Sequence, residues 1–509
     1  MRRYNVCVVS SLRDLLIEYP PIMLEAIAEG WRIALTDEQL PEIVDRLVAE
    51  MSDKESLEAV VGRLSADEQE ALAYVVAKGQ VKAHILARKY GRIRHLGPGR
   101  LEWEQAWRNP DTPAEQLWFL GLIYRSYGVD EGYHGEVFTV PPEISNALPP
   151  MSAPLSAFRV ELAPIPAHVR DDRDALAHDA FVILSHLRNH AVRAKRGALA
   201  KHELAKVLPR FALQDAERLR FLHHLCERGH LICTEEGLWQ LTHRAAEWLR
   251  KGDIARCRSF YRAWLEDSDW NELCIMPSVR CESTGWRNEP VLARKGIVDH
   301  LVRCTPEVWF SIDSLVESMH DVDPDFMRPD GDYDSWYIRD VGTGQYLMGY
   351  SNWDKVEGAF IRYLVQCPLL WLGVVAIGRP QEEGDARSFM LTRRGAAILG
   401  LWEEASVEVG SSRGIFSNRF VTSPDFQITV PRLASWYDRF LLERFSRWVG
   451  EQGAVVHYQI DAASLRPAIE KGVTVRQIRT FLRRVTGDQL PEQVLRALEA
   501  WGRGAEYAS

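Results

Sequence analysis

The sequence predicts a mainly α chain with small β elements, an α+β array of tandem winged-helix domains closed by a C-terminal α/β domain. Three observations predict this. Stretches with helical apolar spacing alternate with short strand-like runs along most of the chain. A strand, Leu-Thr, helix pattern occurs twice, as WQLTHRAAEWL at 239–249 and FMLTRRGAAIL at 389–399, with Thr242 and Thr392 placed to cap the helices; VFTVPPEI ends an earlier unit in a related way. The Gly/Ser-rich run VGSSRGIFSNRFVTS at 409–423 reads as a linker that sets off a last unit, 415–509.

The N-terminal unit, 1–62, reads as helical, with Leu24, Ile27 and Ala28 on one stripe. Thr36 is placed to cap a second helix through Leu40, Ile43, Val44, Leu47 and Val48. Two short helices with an extended bridge resemble a SAP-like or Rho-N-like module, which contacts DNA; a plain helical packing unit is the alternative. The first winged-helix-like domain, 63–150, opens with a Ser65/Glu68 capping box and runs through KAHILARKYG to the strand EVFTV.

The second winged-helix domain, 174–255, is the best formed. Ala177, Ala180, Phe181, Leu184 and Leu187 make one helical stripe, and Leu204, Val207 and Leu208 a second. A third helix follows, then a two-stranded wing turning at Glu236-Gly237. On that third helix Leu219, Leu222, Leu225 and Cys226 face inward, and Arg220, His224 and Arg228 lie opposite. This is the face that enters a major groove in a winged helix, so Arg218, Arg220, His224 and Arg228 are candidate nucleic-acid contacts. The segment 188–262 holds 16 Lys and Arg against 8 Asp and Glu. An ordinary basic surface helix is the alternative.

A third, divergent winged-helix domain spans 256–410. Its residues 313–357 carry 11 acids and 3 bases, which suits a basic protein partner better than phosphates. Within them, DVDPDFMRPDGDYD at 321–334 has the spacing of the first EF-hand ligands at Asp321, Asp323 and Asp325, but Phe326 stands where the loop needs Gly and Asp332 where it needs Glu. A solvated acidic loop is the better reading. The last unit reads as the strand SPDFQITVP, a helix LASWYDRFLLERFSRWVG, a strand VVHYQID and three short helices. Thr474 and Gln477 make a capping box, and Arg476, Arg479, Arg483 and Arg484 lie away from the core stripe. That basic face is either solvated or a contact for nucleic acid or an acidic partner.

Composition bounds the function. The chain has 509 residues, enough for three to four domains at roughly 150 residues each. Net charge is −9, from 62 Lys and Arg against 71 Asp and Glu, which excludes a uniformly basic coat but not a local basic face. Eight Cys without a C-x-x-C pair exclude a zinc knuckle or thioredoxin-like motif and predict no disulfide scaffold. The longest apolar run, PLLWLGVVAIG at 368–378, falls short of the ~18–20 residues of a membrane span, and the N-terminus has no apolar leader run, so a cytoplasmic setting is expected. No phosphate loop, H-E-x-x-H, G-x-S-x-G or strand-linked G-x-G-x-x-G is present. His186 and His190, four apart, lack a third ligand nearby and read as packing residues rather than a zinc site. The expectation is a protein without enzymatic activity, cofactor or metal.

Together, SPDFQITVP, LERFSRWV and HYQIDAASLRPAIEKGVTVRQIRTFLRRVTGDQLPEQVLRALEAW resemble the helicase-associated domain of XPB-type DNA repair helicases, over roughly residues 418–503. The upstream SLRDLLIEYP, LSADEQEALAYVVAKG, RIRHLGPGRLE and LWFLGLIYR are similar to bacterial proteins that carry this domain without a helicase motor. The layout more distantly resembles the TFIIH subunit that clamps XPB. The resemblance implies a non-catalytic adapter in DNA repair or transcription that docks duplex or forked DNA, an XPB-type helicase or another nucleic-acid machine. A free-standing winged-helix transcriptional regulator is the alternative.

Overall fold

Local signals place the first elements. Ser65 accepts from the Glu68 N–H while Glu68 returns a bond to the Ser65 N–H, opening helix Ala66–Lys78. Gly79, at φ 70°, ends it and starts strand Gln80–Lys82. The computed structural model describes residues 11–35, 39–130, 133–151, 157–194, 200–403 and 418–506. The Thr36 cap and most of the 409–423 linker lie outside the described residues.

From this start the chain builds one pattern three times: helix, strand, helix, helix, strand, strand. In the first unit the elements are Ala66–Lys78, Gln80–Lys82, Ala83–Tyr90, Pro113–Phe119, Tyr124–Asp130 and Tyr133–Thr139, with helix Pro98–Glu104 inserted. In the second they are Ala175–Asn189, Val192–Arg193, Lys201–Val207, Ala216–Arg228, Ile232–Glu235 and Leu238–Leu241. In the third they are Pro290–Leu301, Trp309–Ser311, Ile312–Val322, Ala359–Gln366, Val375–Arg379 and Ser388–Leu391, with the acidic segment inserted before the third helix.

Sheet order repeats as well. In each unit the first strand pairs with the third, and the third with the second, all antiparallel. Glu236 and Gly237, at φ 50° and 75°, make the tight turn of the second unit's hairpin. In the third unit, strand His168–Arg170 adds to the far edge beside Val375–Arg379. In the second and third units a Thr-capped helix follows the last strand: Thr242 accepts from the Arg244 N–H, and Thr392 from the Gly395 N–H.

The described residues pack into three cores. One runs from Leu12 to Ile144, so helices Leu12–Ile17, Pro21–Trp31, Leu40–Ser52 and Lys54–Val61 share a core with the first unit. The Trp31 indole fixes the contact by donating to the Leu120 carbonyl at 2.8 Å. The boundary read at 62/63 is thus no break in packing. A second core runs from Leu176 to Ile398 and takes in Phe440 of the C-terminal unit, so the second and third units form one body. A third core, Phe420 to Leu498, belongs to the C-terminal unit.

Two corrections follow. The predicted long helix 433–450 is a short one, Trp436–Leu442, and residues 447–452 instead form a strand. Arg447–Gln452 and Val455–Gln459 make a hairpin, turned at Gly453 with φ 56°, in a sheet ordered Val421–Thr422, Gln427–Pro431, Val455–Gln459, Arg447–Gln452. Val456 and Tyr458, on the strand that the sequence predicts, are fully buried, and Arg447–Gln452 pairs beside them where the helical reading runs too far. Cysteine usage is the second: Cys274 and Cys281 are joined in a disulfide with Cα atoms 5.3 Å apart. Among the described residues no helix is long and apolar enough to cross a membrane.

Candidate nucleic-acid interface

Helix Ala216–Arg228 is capped by Asp215, whose carboxylate accepts from the N–H groups of Glu217 and Arg218. Leu222, Leu225 and Cys226 are fully buried against the second unit's own core, as their spacing predicts. Arg218 is not on a groove-facing surface. Its residue is 1% exposed, and Nη1 donates to Asp179 Oδ2 at 2.5 Å. Asp179 also accepts from the Ala212 N–H at 2.7 Å, so Arg218 is an internal tie between two helices.

The opposite face is partly covered: His224 is half-buried, whereas Arg220 and Arg228 are exposed. Phe221 lies between Trp270 and Trp371, with ring centroids 5.3 and 5.4 Å away. The Tyr363 hydroxyl donates to Glu217 at 2.8 Å. His224 pairs with Asp267, and Arg228 reaches Asp267 at 2.9 Å and Asp269 at 3.2 Å. Burial works against ionising Asp267, but the bonds from His224 and the Asp269 N–H, with the Arg228 charge, outweigh it and hold the carboxyl below its ordinary range. His224 and Arg228 of the face expected to enter a groove are therefore tied down by the segment that follows the second unit. Arg220 alone of the four remains exposed without a salt bridge among the described residues.

The C-terminal basic helix, Val475–Thr486, turns Ile478, Leu482 and Val485 into its core and leaves its arginines outside. Arg479 pairs with Glu499 at 3.2 Å and Arg484 with Asp438 at 2.7 Å. Arg476 and Arg483 are exposed with no salt bridge among the described residues. The two sets of predicted residues thus lie in separate cores and form no common site.

A cationic cleft that the sequence did not suggest lies between the second unit and the C-terminal unit, with a volume of about 1020 Å³. The second unit contributes Arg173, Arg210, Arg250, Lys251 and Arg256, and the C-terminal unit Arg432 and Arg439. Among the described residues three carboxylates line it: Asp174, Asp253 and Glu451. Aromatic rings hold several guanidiniums in place: Arg250 stands 3.8 Å over Tyr437 and Arg256 3.9 Å over Trp436. Arg432 pairs with Glu451 at 2.7 Å, whereas Arg250 and Lys251, both exposed, have no salt bridge among the described residues. His178, Arg432 and Arg439 surround the Glu451 carboxyl and, with the His178 hydrogen bond leading and burial opposing, pull it down to about 2. Leu433, 77% exposed, stands at the rim. The signal is faint because the cations come one or two at a time from segments far apart in sequence; the RK pair 250–251 at the end of a Thr-capped helix is the local mark.

The acidic segment is turned inward. Asp325 is buried and accepts from Arg88 at 2.7 and 3.0 Å and from the Tyr333 hydroxyl at 2.7 Å, and its Oδ2 lies 3.1 Å from His84 Nε2. Lys82 donates to the Pro329 carbonyl at 3.3 Å. The loop docks on the first unit around a cleft of about 340 Å³, which corrects the picture of a fully solvated loop. Asp323 instead approaches His300 at 3.3 Å, so the EF-hand spacing does not converge on one point. Among the described residues no three His, Cys, Asp or Glu gather to hold a metal. His186 and His190 stack with centroids 4.4 Å apart, and His186 lies 2.7 Å from Glu203. Neither a protein-family model nor a curated protein matches this sequence.

Proposed function

We propose that the chain is a non-catalytic adapter that binds duplex or forked DNA along the cleft between its second and C-terminal units and docks an XPB-type helicase or a similar machine through the rest. The observation that carries the reading is the charge of that cleft: among the described residues seven Arg and Lys line it against three carboxylates, in a chain of net charge −9. The thrice-repeated helix, strand, helix, helix, strand, strand order, with the first strand pairing with the third, supports the winged-helix reading. The helicase partner rests on the resemblance of residues 418–503. A free-standing regulator reading DNA through helix Ala216–Arg228 is disfavoured, because Phe221, His224 and Arg228 are engaged by the third unit.

The test is fluorescence anisotropy with labelled duplex and forked DNA across a salt series. Arg250→Glu with Lys251→Glu is expected to weaken binding at least tenfold and to flatten the salt slope by about 2, as loss of two phosphate contacts requires. Arg220→Glu is expected to leave both unchanged. Absence of binding at low salt, or loss through Arg220→Glu and not through the cleft, overturns the reading.

A further inference from the structure

Beside the cleft, and sharing Arg210 and Trp448 with it, a smaller crevice of about 310 Å³ opens where the C-terminal end of helix Ala175–Asn189 meets residues 443–448 and helix Ala462–Glu470. Arg188, Arg444 and Lys471 line it from three different segments. Neither Arg188 nor Arg444 has a carboxylate partner among the described residues, and Arg188 rests 4.4 Å over the Phe440 ring. Lys471 Nζ donates to the Asn189 carbonyl at 2.6 Å and likewise has no carboxylate among the described residues. Among the described residues one carboxylate lines the crevice, Glu443, and it is already occupied by Arg210 at 2.5 Å and the Tyr458 hydroxyl at 2.8 Å. Arg447, also lining it, reaches Asp461 only at 3.7 Å.

Such an arrangement is costly without a counter-ion. Like charges held together repel more strongly where water is partly excluded. Burial first, and the neighbouring Arg444 charge second, push the Arg188 guanidinium down to about 10. A separate observation points the same way. Ser185 is 1% exposed and lines the crevice, yet its Oγ has no hydrogen-bond partner among the described residues. A buried hydroxyl left unsatisfied is destabilising unless something completes it. The helix-end carbonyls do not supply the missing negative charge: Asn189 O is taken by Lys471, and His186 O by the His190 N–H at 3.0 Å. Guanidinium forks match the oxygen geometry of a phosphate, an ammonium adds a point charge, and a serine hydroxyl adds one donor. At this volume the crevice holds a phosphate with space for its substituent.

We infer that this crevice is a phosphate-binding pocket for a phosphate monoester, gripped by Arg188, Arg444 and Lys471 with the Ser185 hydroxyl as a further donor. A phosphorylated strand end and a free phosphorylated small molecule present the same chemistry. The inference stands independently of DNA binding in the larger cleft, because its probe is inorganic phosphate.

Isothermal titration of the full chain with inorganic phosphate, at ionic strength held constant with chloride, reads the pocket directly. Saturable one-to-one binding is expected, weakened at least tenfold by Arg188→Gln with Arg444→Gln and unchanged by Arg476→Ala. Should the double variant lose its native circular dichroism, Arg444→Gln and Lys471→Gln singly serve, each expected to weaken binding at least threefold. A second arm compares terminally phosphorylated and hydroxyl-ended oligonucleotides. A tenfold preference for the phosphorylated end that vanishes in the variants assigns the pocket to strand ends; phosphate binding without that preference assigns it to a free phosphorylated molecule. No saturable phosphate binding by the native chain, or binding undiminished in the folded variants, overturns the inference, whatever the DNA titrations show.

Discussion

Arg218→Met separates the two roles that its helix has been given. The substitution removes the guanidinium from 2.5 Å of Asp179, whose side chain has no exposure. Asp179 keeps its bond from the Ala212 N–H, but its main counter-ion is gone. Removing one partner of a buried pair costs about 3–5 kcal/mol. Arg218 itself leaves Nε and Nη2 without partners, so the native pair is imperfectly satisfied and the effect belongs near the lower end, about 3 kcal/mol. For a cooperative unit of roughly 150–250 residues, each kcal/mol moves Tm by about 2–4 °C, which gives a fall of about 6–12 °C. Scanning calorimetry measures it, and anisotropy at 20 °C measures DNA affinity on the still-folded variant, expected within about threefold of native. Adding Asp179→Leu is expected to restore most of the loss, since an apolar pair of similar volume replaces a buried ion pair at little cost. A Tm within 2 °C of native together with a tenfold loss of DNA affinity refutes the reasoning and returns Arg218 to the groove.

Other perturbations follow from the same joint. Phe221→Ala, at a fully buried ring between Trp270 and Trp371, is expected to cost about 3–5 kcal/mol and to loosen the second and third units together, visible as new proteolytic cleavage between 250 and 290. Arg220→Glu, at an exposed position, is expected to change stability by less than about 0.5 kcal/mol in urea unfolding. The His223 ring is buried against Trp239 and its pKa is lowered to about 4, by burial first and then by the His224 charge. The unfolded chain takes up that proton near pH 6.5, so this contribution is complete above pH 6.5 and is lost as pH falls toward 4. It amounts to up to about 3 kcal/mol, and His223→Phe is expected to flatten that part of a pH–stability profile.

Legibility in the sequence followed the range of the interactions. The Ser65/Glu68 and Thr474/Gln477 capping boxes, the Thr242 and Thr392 caps and the Glu236-Gly237 turn are decided within four residues, and the structure places them where the spacing does. Of the hairpin 447–459 the sequence predicts the second strand but runs a helix through 447–450, because FSRWVG continues an apparent helical stripe and only pairing with Val455–Gln459 makes Arg447–Gln452 a strand. Phe221 held the decisive signal on the candidate interface. At 100° per residue it falls about 20° beyond Arg228 and about 40° short of Leu225, at the border of the basic face, and an aromatic ring at that border needs a cover. The cover, Trp270 and Trp371, lies 49 and 150 residues away, beyond the reach of any local pattern.

Acidic residues do more here than lower the net charge. Asp267 and Asp269 neutralise the cations of helix Ala216–Arg228, and Asp325 neutralises Arg88. The first two tie up cations of a face that the sequence offers to DNA, and the third holds the acidic loop against the first unit. To present helix Ala216–Arg228 to a groove, the third unit would have to leave it, exposing Phe221, Trp270 and Trp371, which are 0%, 7% and 1% exposed. At roughly 1.5–3 kcal/mol for each large apolar side chain, that opening costs about 5–9 kcal/mol before any ion pair is counted. At 1.4 kcal/mol per tenfold, the penalty is about 10³–10⁶ in affinity. The cleft beside Arg250 and Lys251 needs no such opening, because those cations already stand exposed without a salt bridge among the described residues. Between a basic helix that must be uncovered and a basic cleft that is already open, the energetics favour the cleft.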